Sequence, residues 1–415
     1  MTELVKSQYE ALPYPPRTAA LEKERLLRTV GDSLLEINHY CFQGQKDFKE
    51  GLNCLVAGGG TGDSAIYLAE QLRDTPSRVT YIDISRASRG VAEARAKERS
   101  LTNINWLTGS ILDLAELVSE KFDFVNCSGV LHHLPSPEAG LAALSDVLDA
   151  KGAINIMVYA KYGRHGVYIM QQLLRDLVPS SLSIDERIAR SREILEILPA
   201  SNEFAVHRDR WSDLDNYGDS GLFDLLLHST DRSYDTTEVH ALAASAGLHV
   251  VEFIGPHKKS YKPEINPEFS CLEQSLINCD VQERHSIGER LVCNIHKHHV
   301  VLSKSKKAQA SPSDGSLSVA LAFEMAGKHL DLSAAMVEGE NLVISQSIAE
   351  SKNTVIIPGT KTNKELLRFF DGKTPSSAAV EMVAASVGKD LPSVKREFIK
   401  LFSILHLYEW AFLTY

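Results

Sequence analysis

Cysteine is scarce in this sequence and is not arranged in pairs. Six cysteines are scattered along the chain and no CxxC pair occurs. The pattern therefore predicts neither a disulfide framework nor a cysteine-based zinc site. Buried thiols are the simpler interpretation.

Long apolar runs and an excess of positive charge are also missing. No run of about 18 apolar residues occurs, and the first residues lack the basic-then-apolar order of a secretory signal. The net charge is −10, with 44% hydrophobic residues over a length of 415. This composition is typical of a globular protein of two or three domains, without a basic field for a polyanion. We expect a cytoplasmic protein that binds neither a membrane nor nucleic acid.

A glycine-rich turn stands between an apolar run and a helix-like segment in NCLVAGGGTGDSAIYLAEQL, residues 53–72. Gly58, Gly60 and Gly62 remove the side chains that would keep a ligand from the turn. The N–H groups of the following helix start favour a polar or anionic part of that ligand. Alone, the turn indicates either a nucleotide-like site or a tight structural turn.

An acidic residue follows the glycines at the spacing of a ribose ligand. RVTYIDIS (78–85) predicts a second strand that ends in Asp83, whose carboxylate can accept hydrogen bonds from two ribose hydroxyls. Strand-like and helix-like segments then alternate, which favours an α/β fold with a doubly wound parallel sheet. Ligands bind such sheets at the carboxyl ends of the strands, where Ser110 and Ser128 would join the glycines and Asp83.

These motifs resemble those of class I S-adenosylmethionine-dependent methyltransferases over residues 50–160 and 245–303. VAGGGTGD resembles the family's glycine motif, and FDFVNCSGVLHHL resembles its fourth motif, beside the methyl group. The resemblance implies a seven-stranded, Rossmann-like sheet whose last strand, in HKHHVVLSK, is antiparallel. It also implies S-adenosylmethionine as cofactor and methyl transfer to a small-molecule or peptide acceptor. The cofactor-binding residues expected are Gly58, Gly60, Thr61, Gly62, Asp63, Asp83, Ile84, Ser110, Ile111, Ser128 and Gly129. A nicotinamide dehydrogenase would share the glycines and the acid, but the later glycine of its motif is missing.

The chain departs from the family at two positions. The acid often found two residues before the first glycine is Val56, and the acid that usually holds the adenine amino group is Ser110. The Ser110 hydroxyl, the Ile111 backbone or Asp113 would then hold adenine. A cofactor-binding scaffold without transfer activity is therefore a second hypothesis.

Catalysis and acceptor binding are assigned to residues around the sheet. His133, after the fourth strand, is either a general base or a structural histidine. The leader QYEALPYPPR, with NHYCFQGQKDF and LLLHSTDRSYDTTEV, resembles a bacterial subfamily of these enzymes, and proline stiffens this leader as a lid. The acceptor-binding residues expected are Tyr9, Tyr14, Arg17, His228, Arg232 and Tyr234, with Arg232 favouring an acidic acceptor. No metal is expected, because CNIHKHH fits the seventh strand better than a ligand set.

The predicted organisation has four parts. Residues 1–50 form a helical lid, and residues 51–303 form the cofactor-binding domain, with insertions at about 161–245 and 257–295. Residues 304–316 are rich in serine and lysine and predict a flexible linker. Residues 317–415 resemble a winged-helix domain. Its second helix, SSAAVEMVAASVG, lacks arginine and lysine, so we expect peptide docking or a homodimer rather than DNA binding.

Overall fold

The structure is a computed structural model that describes residues 3–322, 324–325, 328–329, 331–348 and 351–415. Its centre is one sheet of seven strands: β1 (Asn53–Ala57), β2 (Arg78–Asp83), β3 (Ile104–Thr108), β4 (Phe122–Ser128), β5 (Leu148–Tyr159), β6 (His249–Ile254) and β7 (Lys297–Ser303). The order is β3-β2-β1-β4-β5-β7-β6, and β7 runs antiparallel to its neighbours β5 and β6. The predicted seven-stranded α/β sheet is confirmed.

Helices cover both faces of this sheet, which explains why its strands are nearly continuous apolar runs. The helices up to residue 147 are α1 (Glu3–Ala11), α2 (Leu21–Glu24), α3 (Leu34–Cys41), α4 (Asp63–Gln71), α5 (Arg86–Glu98), α6 (Leu114–Leu117) and α7 (Pro137–Val147). Apolar side chains of β1, β4 and β5 divide between two cores, one on each face.

The two predicted insertions are helical. The first contains α8 (His165–Leu177), α9 (Ile184–Glu196), α10 (Glu203–Val206), α11 (Asp213–Asn216), α12 (Gly218–Leu222), a π-helical turn (Phe223–Leu227) and α13 (Thr236–Ser245). The second contains α14 (Glu273–Leu276) and α15 (Val281–Val292). Asp235 caps α13, with Glu238 completing a capping box. In the part of the chain that the structure describes, no helix combines the length and apolar character needed to cross a membrane.

A smaller α+β unit follows the sheet, as predicted. Its strands are β8 (Ser318–Leu321), β9 (Glu324–Met325), β10 (Lys328–His329), β11 (Leu342–Ile348), β12 (Ser351–Ile357), β13 (Asp371–Pro375) and β14 (Ala411–Thr414). Its helices are α16 (Leu332–Ala335), α17 (Lys361–Leu367), α18 (Ser376–Val387) and α19 (Leu391–Leu407). The strands β13, β8 and β14 form a three-stranded sheet, beside a β11–β12 hairpin.

The segment 304–316 is not a loose linker. The Gln43 N–H donates to the Ala308 carbonyl at 2.8 Å, and the Ala310 N–H donates to the His39 carbonyl at 2.7 Å. Both alanines are buried. Composition predicts flexibility here because serine and lysine dominate, but two small apolar residues suffice to pack the segment closely on α3.

The last strand also joins the two units. Phe412 lies in the core behind β1, and the Leu413 N–H donates to Nδ1 of His39 at 3.1 Å. Nearby, the buried Lys258 ammonium donates to the Tyr40 hydroxyl at 2.7 Å and to the His406 carbonyl at 2.9 Å. The C-terminal unit therefore shares apolar and polar contacts with the central sheet.

Candidate functional site

The glycine turn after β1 forms one wall of the site. Gly58 and Gly60 have φ angles of 73° and 51°, which glycine adopts without steric strain. A Cβ on Gly58 would lie 2.2 Å from Cγ2 of Val130, and one on Gly60 would lie 2.8 Å from the Tyr14 carbonyl oxygen. The loop after β4 and the N-terminal segment therefore approach the turn so closely that only glycine fits.

Asp83, at the end of β2, fixes this turn from the neighbouring strand. One carboxylate oxygen accepts from the Gly60 N–H and the other from the Ser85 N–H, each at 2.8 Å. Burial raises the pKa of Asp83, and these N–H groups oppose the rise. Because a carboxylate oxygen has two acceptor sites, Asp83 can also accept bonds from hydroxyls of a ligand.

A cavity of about 350 Å³ lies against this turn, across the carboxyl ends of the central strands. Its volume lies within the usual range for a small-molecule site. The predicted residues in its wall are Tyr9, Tyr14, Arg17, Gly58, Gly60, Asp63, Asp83, Ile84, Ile111, Ser128, Gly129 and His133. The sheet and the N-terminal segment both contribute to it.

The N-terminal segment is fastened over the cavity by polar contacts. The Glu10 carboxylate accepts from the Arg86 N–H at 2.7 Å, at the start of α5, where negative charge is favourable. The Arg17 guanidinium contacts the Asp63 carboxylate at 2.8 Å. Burial alone would raise the pKa of Asp63, but Arg17 and Arg95 hold it below its ordinary value.

A second carboxylate in the cavity wall, Asp224, lies between two tyrosines. The Tyr9 hydroxyl donates to Oδ1 at 3.0 Å, and the Tyr159 hydroxyl donates to Oδ2 at 3.2 Å. Asp224 is 2% exposed and belongs to the π-helical turn, a rare conformation that is frequent at functional sites. Burial raises the pKa of Asp224, and the hydrogen bond from the Tyr9 hydroxyl opposes the rise.

Further aromatic and acidic groups surround this carboxylate. Tyr14 and Tyr217 pack edge to face, with ring centroids 5.7 Å apart. Both line the cavity, as does Asp213. Burial raises the pKa of Tyr14 well above its ordinary value, so its phenol stays protonated at neutral pH. This half of the cavity thus carries tyrosine faces, hydroxyls and two carboxylates.

His133 lies at the end of a 3-10 turn, Leu131–His133, directly after β4. Its Nδ1 is 2.7 Å from the Thr230 carbonyl oxygen, and a carbonyl only accepts, so Nδ1 carries the proton. Burial lowers the pKa of His133 to about 4, although the Thr230 carbonyl opposes this. Near pH 7 the imidazole is therefore neutral, with a lone pair on Nε2.

His228 packs against the ring of His133. The two rings stack with centroids 3.7 Å apart, and Nδ1 of His228 accepts from the Thr230 N–H at 3.1 Å. Burial, and then His133, lower the pKa of His228 to about 3. His228 is therefore neutral with its proton on Nε2. His228 does not line the cavity. It can therefore affect the methyl acceptor only through His133, and not by the direct contact that was predicted.

Two compact groups of possible metal ligands occur among the described residues: His132, His133 and Asp231, and His133, Asp224 and His228. In the first group, the Arg164 guanidinium lies 3.7 Å from the Asp231 carboxylate and already supplies a positive charge. In the second, the proton on Nε2 of His228 makes that nitrogen a donor. The chemistry of both groups therefore favours hydrogen bonding over metal binding.

Arg232 and Tyr234 do not reach the cavity, in contrast to their predicted role. Arg232 pairs with Glu138 at 3.1 Å, and both side chains are 47% exposed. Tyr234 is fully buried in the core of the sheet. The segment runs extended beside β5, with a bridge from Tyr234 to Ala160, and the Arg232 guanidinium lies 4.8 Å from the centroid of the Tyr234 ring. The two side chains therefore share a face of this segment that does not line the cavity. The predicted acidic acceptor loses its support with Arg232.

Three predicted cofactor residues hold the surrounding backbone instead of lining the cavity. The Thr61 hydroxyl donates to the Pro15 carbonyl at 2.7 Å, which ties the N-terminal segment to the turn. Gly62 precedes α4 with a φ of 100°. The Ser110 hydroxyl accepts from the Leu112 N–H at 3.1 Å, which leaves its O–H and a second lone pair for other contacts.

The cavity also contains residues that were not predicted: Asn126, Tyr159, Asp213, Asp224 and Lys297. Two of them left a signal in the sequence. Asn126 is a polar residue inside the apolar strand FDFVNCS, and Asp224 is a single acid within the apolar run GLFDLLL. An isolated polar residue in a buried segment needs a partner, and that need is often functional.

The family comparison agrees with this geometry. Residues 55–154 match a family model described as a methyltransferase domain. This part of the chain is therefore similar to a methyltransferase domain. An uncharacterized protein of Synechococcus sp. is 36% identical over 203 residues, which is 48% of this chain and 48% of that protein. A ubiquinone biosynthesis O-methyltransferase of Vibrio atlanticus is 24% identical over 134 residues, 32% of this chain and 56% of that enzyme. The chain thus spans about half the length of these curated relatives.

Solved structures extend the likeness of the fold to the C-terminal unit. PKMT2 from Rickettsia typhi has a TM-score of 0.63 and 16% identity, covering 97% of this chain and 77% of its own. The same protein in complex with AdoHcy has a TM-score of 0.64 and 15% identity, with the same coverage. These likenesses concern the fold. The match to a methyltransferase domain, the open glycine turn and Asp83 agree with the predicted cofactor, S-adenosylmethionine.

Proposed function

We propose that this chain transfers a methyl group from S-adenosylmethionine to an amine of a small molecule or peptide. The observation that carries this proposal is the carboxylate of Asp224, buried in the cavity wall between the hydroxyls of Tyr9 and Tyr159. A buried carboxylate is stabilised by a cation. An ammonium group entering the cavity would supply one.

The charges around the cavity favour the same acceptor. Of the cations in its wall, Arg17 is engaged with Asp63, which leaves Lys297 in the same wall as the carboxylates of Asp213 and Asp224. Tyrosine faces attract cations through the ring quadrupole, and the guanidiniums of Arg17 and Arg164 already lie over the rings of Tyr217 and Tyr159, at 5.3 Å and 3.6 Å. An amine therefore fits this half of the cavity better than a carboxylate or phosphate.

The residues of the chain have separate tasks in this reaction. S-adenosylmethionine supplies an electrophilic methyl group, and Asp83 with the glycine turn holds the ribose side. Alignment of the acceptor accounts for most of the acceleration that such a displacement needs, and Asp224 with its tyrosines supplies that alignment. An amine attacks only after losing a proton, and the available acceptors are the Asp224 carboxylate, whose pKa burial raises, and Nε2 of His133.

Release of S-adenosylhomocysteine tests the proposal. We expect release with a lysine-containing peptide or a small primary amine, and none after acetylation of that amine. Asp224→Asn should raise KM for the acceptor at least about tenfold, the usual worth of a charge-assisted bond, with unchanged affinity for S-adenosylhomocysteine. Asp219→Asn is the matched control, because Asp219 is exposed and pairs with Arg192.

Two results would contradict the proposal. Turnover of hydroxyl or carboxylate acceptors alone would exclude the amine, and normal turnover by Asp224→Asn would remove its binding group. Cofactor binding without transfer to any acceptor would support the scaffold hypothesis instead.

We also propose that the C-terminal unit is a winged-helix-like domain that docks a peptide or forms a homodimer, in a cytoplasmic protein. The succession of α17, β13, α18, α19 and β14 supports this, and α18 carries no arginine or lysine that could meet phosphates. Sedimentation at several concentrations should separate a dimer from a monomer. Binding of duplex DNA with a steep salt dependence would contradict this use of the domain.

A further inference from the structure

A short segment between α2 and α3 lies directly on the central sheet beside the cavity. Gly31 has a φ of 78°, and a Cβ there would lie 2.4 Å from Nδ2 of Asn155. Glycine therefore lets the backbone touch β5. This contact places Thr29 in the cavity wall and Asp32 over strands β4 and β5.

Asp32 is a fully buried carboxylate in this segment. The Thr29 hydroxyl donates to Oδ2 at 2.5 Å, and Nδ2 of Asn126 donates to Oδ1 at 2.7 Å. Burial raises the pKa of Asp32, and these donors oppose the rise. Within the described ranges, no lysine or arginine nitrogen forms an ion pair with this carboxylate. Its charge is therefore balanced only by neutral donors.

The carboxylate determines how Asn126 faces the cavity. An ionised carboxylate only accepts hydrogen bonds, so the NH₂ group of Asn126 must point to Asp32. The other side of the amide, Oδ1, is then the acceptor available to a ligand, and Asn126 lines the cavity. Val56, the neighbour of Asn126 across β1 and β4, offers no polar group there.

The position of this cluster indicates which part of the cofactor it meets. Asp83 is the last residue of β2 and Ile111 follows β3, on one side of the glycine turn, whereas Asn126 is on β4, on the other side. With the ribose at Asp83 and the base toward β3, the amino-acid end extends toward β4. That end carries an ammonium group, which needs acceptors and a nearby negative charge.

We propose that Asp32 is a positioning residue for the ammonium group of S-adenosylmethionine, acting through Asn126 and Thr29. It replaces the first-strand acid, which is Val56 in this chain. Asp32 keeps the Asn126 oxygen turned to the ammonium group and provides the negative charge behind it. This proposal rests on the cofactor and is independent of the methyl acceptor.

A comparison of ligands with and without the ammonium group tests this role. Calorimetry would compare S-adenosylhomocysteine, its desamino analogue and 5′-methylthioadenosine, which lacks the whole amino-acid end. For Asp32→Asn we expect at least about tenfold weaker binding of S-adenosylhomocysteine, from a lost charge-assisted interaction. Affinities for the other two ligands should change less than about twofold, because neither carries the ammonium group. A general loss of structure would instead weaken all three ligands alike.

Matched variants keep the test interpretable. Asp123→Asn is the control, since the Asp123 carboxylate likewise accepts a hydrogen bond, from the Asn53 N–H at 2.9 Å, but lies at the opposite end of β4. If Asp32→Asn does not fold, Thr29→Val and Asn126→Ala replace it, and each should weaken S-adenosylhomocysteine selectively. An equal loss for all three ligands, or no loss for S-adenosylhomocysteine, would overturn the role of Asp32. Failure of the wild-type chain to bind S-adenosylhomocysteine would overturn the cofactor and this proposal together.

Discussion

Replacing Arg95 by methionine should reveal how strongly the N-terminal segment is fastened to the domain of the central sheet. Arg95 is 1% exposed, and its guanidinium contacts Glu22 at 2.6 Å and Asp63 at 2.6 Å. It also donates to the Thr61 carbonyl at 2.8 Å. One buried side chain thus connects α2, α5 and the glycine turn.

The size of the effect follows from what remains after the change. Glu22 keeps a contact with Arg99, and Asp63 keeps Arg17, so neither carboxylate loses every cation. Breaking a buried pair usually costs about 3–5 kcal/mol. We therefore expect Arg95→Met to lower the free energy of unfolding by about 3 kcal/mol, the lower end of that range. Adding Glu22→Gln should recover at least about 1 kcal/mol, because it removes the carboxylate left with fewer cations.

Urea unfolding followed by circular dichroism measures this change. Arg73→Met is the matched control, because Arg73 pairs with Glu70 at 2.7 Å on an exposed helix face and should contribute about 0.5 kcal/mol or less. A loss for Arg95→Met no larger than that of the control would refute the reasoning. So would strict additivity with Glu22→Gln.

Three further outcomes are expected. Asp83→Asn should weaken S-adenosylhomocysteine binding about 10- to 100-fold in calorimetry, by the usual worth of bonds to a charged acceptor, whereas Asp123→Asn should not. Burial lowers the pKa of His133 to about 4 in the folded chain, whereas the ordinary pKa of histidine is about 6.5. Between these two pH values the unfolded chain binds a proton at His133 and the folded chain does not. Stability should fall by up to about 1.4 kcal/mol per pH unit between these values, and His133→Gln should flatten that fall in urea titrations at pH 7 and 5. Phe412→Ala should lower the free energy of unfolding by about 3–5 kcal/mol. For the same reason a chain ending at Ser303 should be poorly soluble. A soluble truncated chain with normal cofactor binding would show that the two units fold independently.

The sheet and the cofactor half of the site could be predicted because they depend on local patterns. The apolar strands, the positive-φ glycines and the acid after β2 lie within one stretch of about 30 residues, where spacing determines geometry. The antiparallel last strand was implied by the resemblance of HKHHVVLSK to the last strand of the methyltransferase sheet, and the structure has it. These elements were confirmed together with the smaller C-terminal unit.

The acceptor half depends on contacts between distant segments and was harder to predict. Arg232 and Tyr234 are close to His228 in sequence, but Arg232 pairs with Glu138 at the surface and Tyr234 packs into the core. Asp224 reaches the cavity through a π-helical turn that sequence periodicity does not reveal. The packing of residues 304–316 was likewise hidden, because two buried alanines carry almost no signal in composition.

Calorimetric titration of the wild-type chain tests the central claim most directly, because every proposed role depends on the ligand at the glycine turn. We predict saturable binding of S-adenosylhomocysteine at one site per chain, and no heat with a nicotinamide dinucleotide. Binding of the dinucleotide without binding of S-adenosylhomocysteine would contradict the account.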